Sequence, residues 1–267
     1  MHFVRAGQGA PALVFVHGFS CELADWSFQV DALQDAHEVV ACDLRGHGRT
    51  PGRPAECSIE NFAGDVAALV SFLDLQKAIL IGHSMGCKVV LEAARILSAS
   101  EHAARLAGLV LVDGNRNAPR GDPEATERAS RAAIEKSGFA AFSDELFRQM
   151  FFAPSPLAER LLARTAKRPP DVGAALYPRM ARFDARDLDA ALAAVRVPVL
   201  AIQSTMRDRV TSKRVPLREG QASPWFELLA EHVRDVETAV IPGGHFTMLE
   251  SPERVSALIR RFAAACR

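Results

Sequence analysis

Residues 79–94 read ILIGHSMGCKVVLEAA, and the way this stretch folds decides how the rest of the chain is read. It opens with an apolar run, closes with apolar residues at helical spacing, and places Gly-His-Ser-Met-Gly between them. A strand that turns at once into a helix would hold Ser84 at the tip of a sharp turn. Small residues at 82 and 86 would let the two elements pack closely. The serine hydroxyl would then sit at the positive end of the helix, where developing negative charge is stabilised. That context makes Ser84 a candidate nucleophile; the bland alternative is a tight turn that needs only its glycines.

Working outward, short apolar runs alternate with helical patterns. The strand candidates are 12–17 (ALVFVH), 38–43 (EVVACD), 78–82 (AILIG), 106–113 (LAGLVLVD), 197–203 (VPVLAIQ) and 237–242 (ETAVIP). Runs without polar alternation predict strands covered on both faces, hence an α/β fold with a mostly parallel central sheet and helices on both sides. Ile59, Phe62, Ala63, Val66, Val70 and Leu73 recur at helical spacing. So do Val255, Leu258, Ile259 and Phe262, behind a Pro252 well placed to open that helix. Residues 115–194 break the alternation, with no convincing strand, many prolines and arginines that read as exposed. They predict a helical cap inserted into a core made of 1–114 and 195–267. Its rings and thioethers (Phe139, Phe142, Phe147, Met150, Phe151, Phe152, Tyr177, Met180 and Phe183) either fasten the insertion to the core or line an apolar substrate pocket.

The composition fits this picture. A chain of 267 residues that is 49% hydrophobic and 24% charged can bury a full core. Its 32 basic residues balance 32 acidic ones, giving no reason to expect nucleic acid or a membrane surface as partner. No apolar run approaches the roughly 20 residues that span a bilayer, and the N-terminus lacks the layout of a signal peptide. Five scattered cysteines without a CxxC pair suggest reduced thiols and a cytoplasmic protein.

Two further stretches carry chemistry. FVHGFS, 15–20, ends a strand in His-Gly and leaves the N–H of Phe19 at the strand's C-terminal end. With the N–H of Met85, directly after Ser84, it would form an oxyanion hole, each donor worth about 3 kcal/mol. His17 reads as structural. VIPGGHFTMLESPERV, 240–255, puts His245 on a loop after a strand, at the sheet edge where open α/β sheets place their sites. An imidazole titrating near pH ~6.5 suits the removal of a serine proton, which makes His245 the candidate general base.

HGF, CDLRGHGRT, GHSMG, GLVLVD, VPVLAIQ and PGGHFTMLESPE together resemble the α/β-hydrolase superfamily, in particular serine-nucleophile members with a helical cap. The resemblance runs nearly end to end. It implies Ser84 as nucleophile, His245 as base, and Phe19 and Met85 as oxyanion donors. Serine at 84 argues against dehalogenase and epoxide-hydrolase relatives, which use aspartate. Asp43, Arg45 and His47 match a familiar loop and read as structural.

The third catalytic group is less plain. Relatives usually carry the acid in a Gly-x-x-Asp loop after the strand that VPVLAIQ resembles. Here Ser204 stands in place of the glycine, Arg207 in place of the acid, and Asp208 comes one residue late between Arg207 and Arg209. The following TSKRVPLREGQASPW, 211–225, is longer and more basic than usual. Asp208 serves only if the loop bulges; otherwise it is a surface carboxylate paired with a neighbouring arginine. Asp113 is preferred: it ends an apolar strand beside the nucleophile's strand, where a less solvated carboxylate polarises an imidazole better. Its alternative role is to cap the backbone of Asn115 or Arg116. Asp122 reads as a helix N-cap before Pro123.

The expected activity is hydrolysis of a small or medium carboxylic ester, lactone or thioester through an acyl-enzyme on Ser84. Hydrolysis of a carbon–carbon bond in a dienoate, and a ligand-binding protein with vestigial catalysis, stay open beside it. No metal or organic cofactor is expected, because the histidines show no ligand spacing. The expected partner is a small-molecule ester or lactone substrate; a homodimer is compatible with the sequence.

Overall fold

The computed structural model describes residues 1–208, 210–211 and 213–266. In chain order the elements are β1 (Phe3–Ala6), β2 (Leu13–Val16), α1 (Ser27–Leu33), β3 (Val39–Cys42), α2 (Ile59–Phe72), β4 (Ala78–His83), α3 (Met85–Ser98) and β5 (Leu106–Val112). Five helices follow without a strand: α4 (Pro123–Ser137), α5 (Phe139–Arg148), α6 (Pro156–Ala166), α7 (Pro170–Arg186) and α8 (Leu188–Ala193). The chain closes with β6 (Val199–Gln203), β7 (Thr205–Arg207), β8 (Arg214–Pro216), α9 (Pro224–His232), β9 (Val236–Val240), α10 (Thr247–Glu250) and α11 (Pro252–Ala265).

Seven strands form one sheet in the order β1-β3-β2-β4-β5-β6-β9, parallel except for β1 against β3. Each of the six sequence-predicted strands is present. Strands β2, β3, β4 and β6 are buried at every position, as runs covered on both faces must be. The sequence reading missed β1, whose four residues FVRA include two exposed positions and mark it as an edge. It also missed the small antiparallel hairpin β7–β8, in which Arg207 pairs with Arg214. Among the described residues no helix is long and apolar enough to cross a membrane.

Helix α2 starts where Ser58 accepts the N–H of Asn61, and Ile59, Phe62, Ala63, Val66 and Val70 all point into the core. Cutting Phe62 back to alanine would cost about 3–5 kcal/mol. Pro252 opens α11, which buries Val255, Ile259 and Phe262. Helix α3 is buried almost throughout, Lys88 included. The chain runs outward from β2 to β3 and then crosses back to β4. Strands β2 and β4 therefore flank the point where strand order reverses, and the crevice at their C-terminal ends is where such sheets place a site.

Several arginines between β5 and β6 depart from the exposed reading, because they tie α6 and α7 to α2 and to the loops that precede α1 and α2. Arg164 donates to both carboxylate oxygens of Asp25 at 2.6 and 2.8 Å, and Arg179 donates to the carbonyls of Pro54 and Cys57. Half-buried Arg182 shares Glu60 with Arg186, which stays exposed as expected. Deepest is Lys88 of α3, whose ammonium lies 2.6 Å from Asp184 of α7, both side chains sealed from solvent. Asp184 also accepts the N–H groups of Asn117 and Ala118. Phe147 and Phe183 are fully buried and Met150 and Met180 nearly so, which makes them packing residues. Asp122 caps α4 through the N–H of Ala125 at 2.9 Å.

Candidate active site

The turn at Ser84 is strained. Its φ of 53° and ψ of −112° are costly for a residue with a Cβ, of order 1–3 kcal/mol. The glycines on either side make the turn buildable. A Cβ on Gly82 would lie 2.3 Å from the carbonyl oxygen of Gly86, and one on Gly86 would lie 2.5 Å from that of Val16. Strand and helix thus touch backbone to backbone, and α3 in turn rests on the end of β2. Gly18 is held as closely: a Cβ there would meet His83 Nδ1 at 2.9 Å and Ser84 Cβ at 3.4 Å. This approach carries the backbone of Phe19 to the elbow. Among the described residues, neither the N–H of Phe19 nor that of Met85 donates to a protein acceptor.

His245 follows β9 on a short loop, and its Nε2 is 2.9 Å from Ser84 Oγ. The loop is fixed from three sides. The His245 N–H donates to Met150 O at 2.9 Å, His83 Nε2–H donates to the His245 carbonyl at 2.8 Å, and Glu250 accepts the N–H groups of Gly244 and Phe246. Gly244 is required, since a Cβ there would sit 2.8 Å from the backbone carbonyl oxygen of Met150. On the other edge of the ring, His245 Nδ1 hydrogen-bonds Asp113 Oδ2.

Asp113 also adopts a positive φ, 49°, at the tip of β5. Its Oδ1 accepts the N–H groups of Ser204 and Thr205 at 2.7 and 2.9 Å, and its Oδ2 accepts the Thr205 hydroxyl. The segment after β6, where the acid itself was one expectation, supplies donors to Asp113 instead. Asp208 lies beyond β7, where its Oδ1 accepts the N–H groups of Val210 and Thr211 at 3.1 and 2.7 Å. Arg209, one of its expected partners, is outside the described residues. The structure therefore brings Ser84, His245 and Asp113 into one hydrogen-bonded chain and holds Asp208 by a turn of its own.

Sequence reasoning missed Arg214. This buried side chain from β8 donates to Thr205 Oγ1 at 2.6 Å and lies 3.0 Å from His245 Nδ1 and 3.6 Å from Asp113 Oδ2. The unusual basic length of 211–225 is the sequence signal by which it could have been found. Burial, followed by the charge of Arg214, lowers the His245 imidazole to about 4, against an opposing pull from Asp113. Burial raises the Asp113 carboxyl, but its bond to His245 and the charges of His245 and Arg214 outweigh that and leave it below its ordinary value. Both groups are thus set for a neutral imidazole beside an ionised carboxylate near neutral pH.

The remaining histidines of the region are structural in their contacts. His17 is lowered to about 4, chiefly by burial; its Nε2 accepts the N–H of Leu44 while Nδ1–H donates to Gly18 O. Asp43 accepts the N–H groups of Leu23 and Arg49, and Arg45 pairs with Asp65. All five cysteines are free. Among the described residues no cluster of His, Cys, Asp or Glu is arranged to hold a metal.

The rings that sequence left unsorted divide here. Tyr177 and Phe139 pack edge-on against Phe19 at 5.5 and 6.4 Å, and Phe142 packs on Tyr177 at 4.7 Å. An apolar wall thus stands against the Phe19 ring. A separate cavity of about 550 Å³ opens past Asp113, lined by Asn115, Arg116, Met206, Arg207 and Trp225 but by neither Ser84 nor His245.

Residues 13–258 match the model of the alpha/beta hydrolase family. The chain belongs to that family. Among relatives, 3-oxoadipate enol-lactonase 1 of Acinetobacter baylyi is 26% identical over 97% of this chain and 91% of that one. A thermophilic esterase from Thermogutta terrifontis superposes with a TM-score of 0.77 at 28% identity, covering 99% of this chain and 93% of the other. A more local match, 41% identical over 86 residues, is to the dihydrolipoyllysine-residue acetyltransferase component of an acetoin cleaving system of Cupriavidus necator. It spans 32% of this chain and 23% of that relative's length.

Proposed function

We propose that the protein hydrolyses a small or medium carboxylic ester or lactone through an acyl-enzyme on Ser84. The observation that carries this reading is the unbroken chain Ser84 Oγ–His245 Nε2, His245 Nδ1–Asp113 Oδ2, set at the sheet's switch point. Asp113 fixes the tautomer with a proton on Nδ1, which leaves the Nε2 lone pair aimed at the serine. As Ser84 Oγ attacks the substrate carbonyl carbon, its proton passes to Nε2. The oxygen of the tetrahedral intermediate then lies against the N–H groups of Phe19 and Met85, with the start of α3 adding its dipole.

Collapse of the intermediate transfers the Nε2 proton to the leaving alkoxide. In a lactone the freed hydroxyl stays tethered to the acyl group. A water molecule, deprotonated in turn by His245, attacks the acyl-enzyme and releases the acid. The helices between β5 and β6 serve as a cap, and Phe139, Phe142 and Tyr177 give the pocket an apolar side. The enol-lactonase and esterase relatives support the ester and lactone classes. The test is labelling by a fluorophosphonate probe: it modifies the wild-type protein at Ser84 and fails on Ser84→Ala. Folded wild-type protein that resists the probe would overturn the proposal. A panel of p-nitrophenyl esters of rising chain length, with lactones and dienoates, then ranks the substrate classes.

A further inference from the structure

Arg214 is a full positive charge set inside the reacting group's own neighbourhood. Two N–H donors cannot bond each other. With the Nδ1 proton directed to Asp113, the 3.0 Å approach of Arg214 Nη1 to that nitrogen is therefore a contact without a hydrogen bond. What the guanidinium does bond is Thr205 Oγ1, whose own proton goes to Asp113 Oδ2. The sequence Arg214–Thr205–Asp113 is a relay of donors ending on the carboxylate, parallel to the one from His245.

We propose that Arg214 is a positioning residue that supplies the countercharge for Asp113, so that His245 waits beside Ser84 as the uncharged base. The proposal rests on the hydrolase reading of Ser84 and His245. A carboxylate sealed from water needs an opposite charge close by. Without Arg214 the group at hand to supply it is His245, by taking a proton, and an imidazolium cannot accept another from Ser84. With Arg214 present, carboxylate and guanidinium balance and the imidazole stays neutral. The directions agree: Arg214 lowers His245, and Arg214, though brought down by burial to about 10, remains a cation below that pH.

The other groups around the pair do not take over this part. His83 from β4, with its ring 4.8 Å from that of His245, is held neutral by burial, at about 3. Glu250 from α10 is occupied by the backbone of Gly244 and Phe246. The Cys87 thiol from α3, pushed up by burial, faces the carbonyls of Gly82 and Val112. Arg207 from β7 adds positive charge to both His245 and Arg214 from further off, and Tyr177 from α7 acts on Arg214 through its phenol.

The experiment measures the rate of fluorophosphonate labelling against pH, within seconds of a pH jump, for wild type, Arg214→Met and Arg214→Lys. Wild type is expected to label with an acid limb well below the ordinary imidazole value of ~6.5. Removing a cation this close should raise that limb by at least about one pH unit in Arg214→Met, and Arg214→Lys should restore it most of the way. A wild-type limb near 6.5, or a folded Arg214→Met with the wild-type limb, overturns the proposal. If Arg214→Met does not fold, the wild-type limb and Arg214→Lys decide. A wild type that is not labelled at all refutes the hydrolase reading; titration of the His245 ring by nitrogen-15 NMR, in wild type and Arg214→Lys, then judges Arg214 alone.

Discussion

Replacing Asp113 by asparagine should abolish the base without removing it. The orientation of the new amide is dictated by its surroundings. Ser204 and Thr205 aim two backbone N–H groups at Oδ1, at 2.7 and 2.9 Å, so the amide oxygen must take that place. The NH2 group then falls where Oδ2 stood, facing His245 Nδ1 and the Thr205 hydroxyl. A donor against Nδ1 draws the imidazole into the other tautomer, with its proton on Nε2, 2.9 Å from Ser84 Oγ. The nitrogen that should accept the serine proton already carries one. In a triad of this kind the wrong tautomer costs about 10⁴-fold in kcat, or about 5.4 kcal/mol of transition-state stabilisation. The substitution also strips Arg214 of its countercharge, so stability should fall by about 3–5 kcal/mol. Hydrolysis of p-nitrophenyl acetate, with near-ultraviolet circular dichroism as the test of folding, measures both effects. Asp208→Asn, which alters only a turn acceptor, should leave kcat within about two-fold. A folded Asp113→Asn within ten-fold of wild type, or a thousand-fold loss in Asp208→Asn, would refute the reasoning.

Gly86→Ala would press a Cβ to 2.5 Å from the Val16 carbonyl, so the Tm should drop by several degrees or the soluble yield collapse, as read by thermal melts. Lys88→Met leaves Asp184 sealed from water without its countercharge, with a cost of about 3–5 kcal/mol seen in urea unfolding. His17, His47 and His83 are lowered to about 4, 3 and 3, burial being the main cause in each case. The unfolded chain therefore binds protons that the folded one refuses once the pH falls below ~6.5. Stability is full above that pH and declines toward pH 4, by up to about 1.4 kcal/mol per pH unit for each imidazole. A urea midpoint that stays flat from pH 7 to 5 would contradict this.

The strands of the main sheet were legible because burial on both faces leaves an unbroken apolar run, and Ser84 because its turn demands glycines at fixed offsets. Strand β1 was not, being short, half exposed and paired only along one edge. The fate of Asp113 and Asp208 could be weighed but not decided from spacing. It depends on where the backbone of Ser204 and Thr205 points, a matter of register between β5 and β6. The partners of Arg214 and of Lys88 could not be read for a related reason. A basic residue in sequence reads as solvated unless its partner is known, and these partners lie 101 and 96 residues away.

The bond from the His245 N–H to the Met150 carbonyl reaches from the loop after β9 into the helical segment between β5 and β6. The segment most easily imagined as an interchangeable module therefore supplies scaffolding for the imidazole. Grafting a foreign helical segment onto this core would exchange more than the walls of the pocket. A chimera would have to reproduce a carbonyl at the position of Met150 and a carboxylate at that of Asp184. Transplants lacking them should lose turnover on every substrate alike, whereas transplants keeping them would be free to change selectivity.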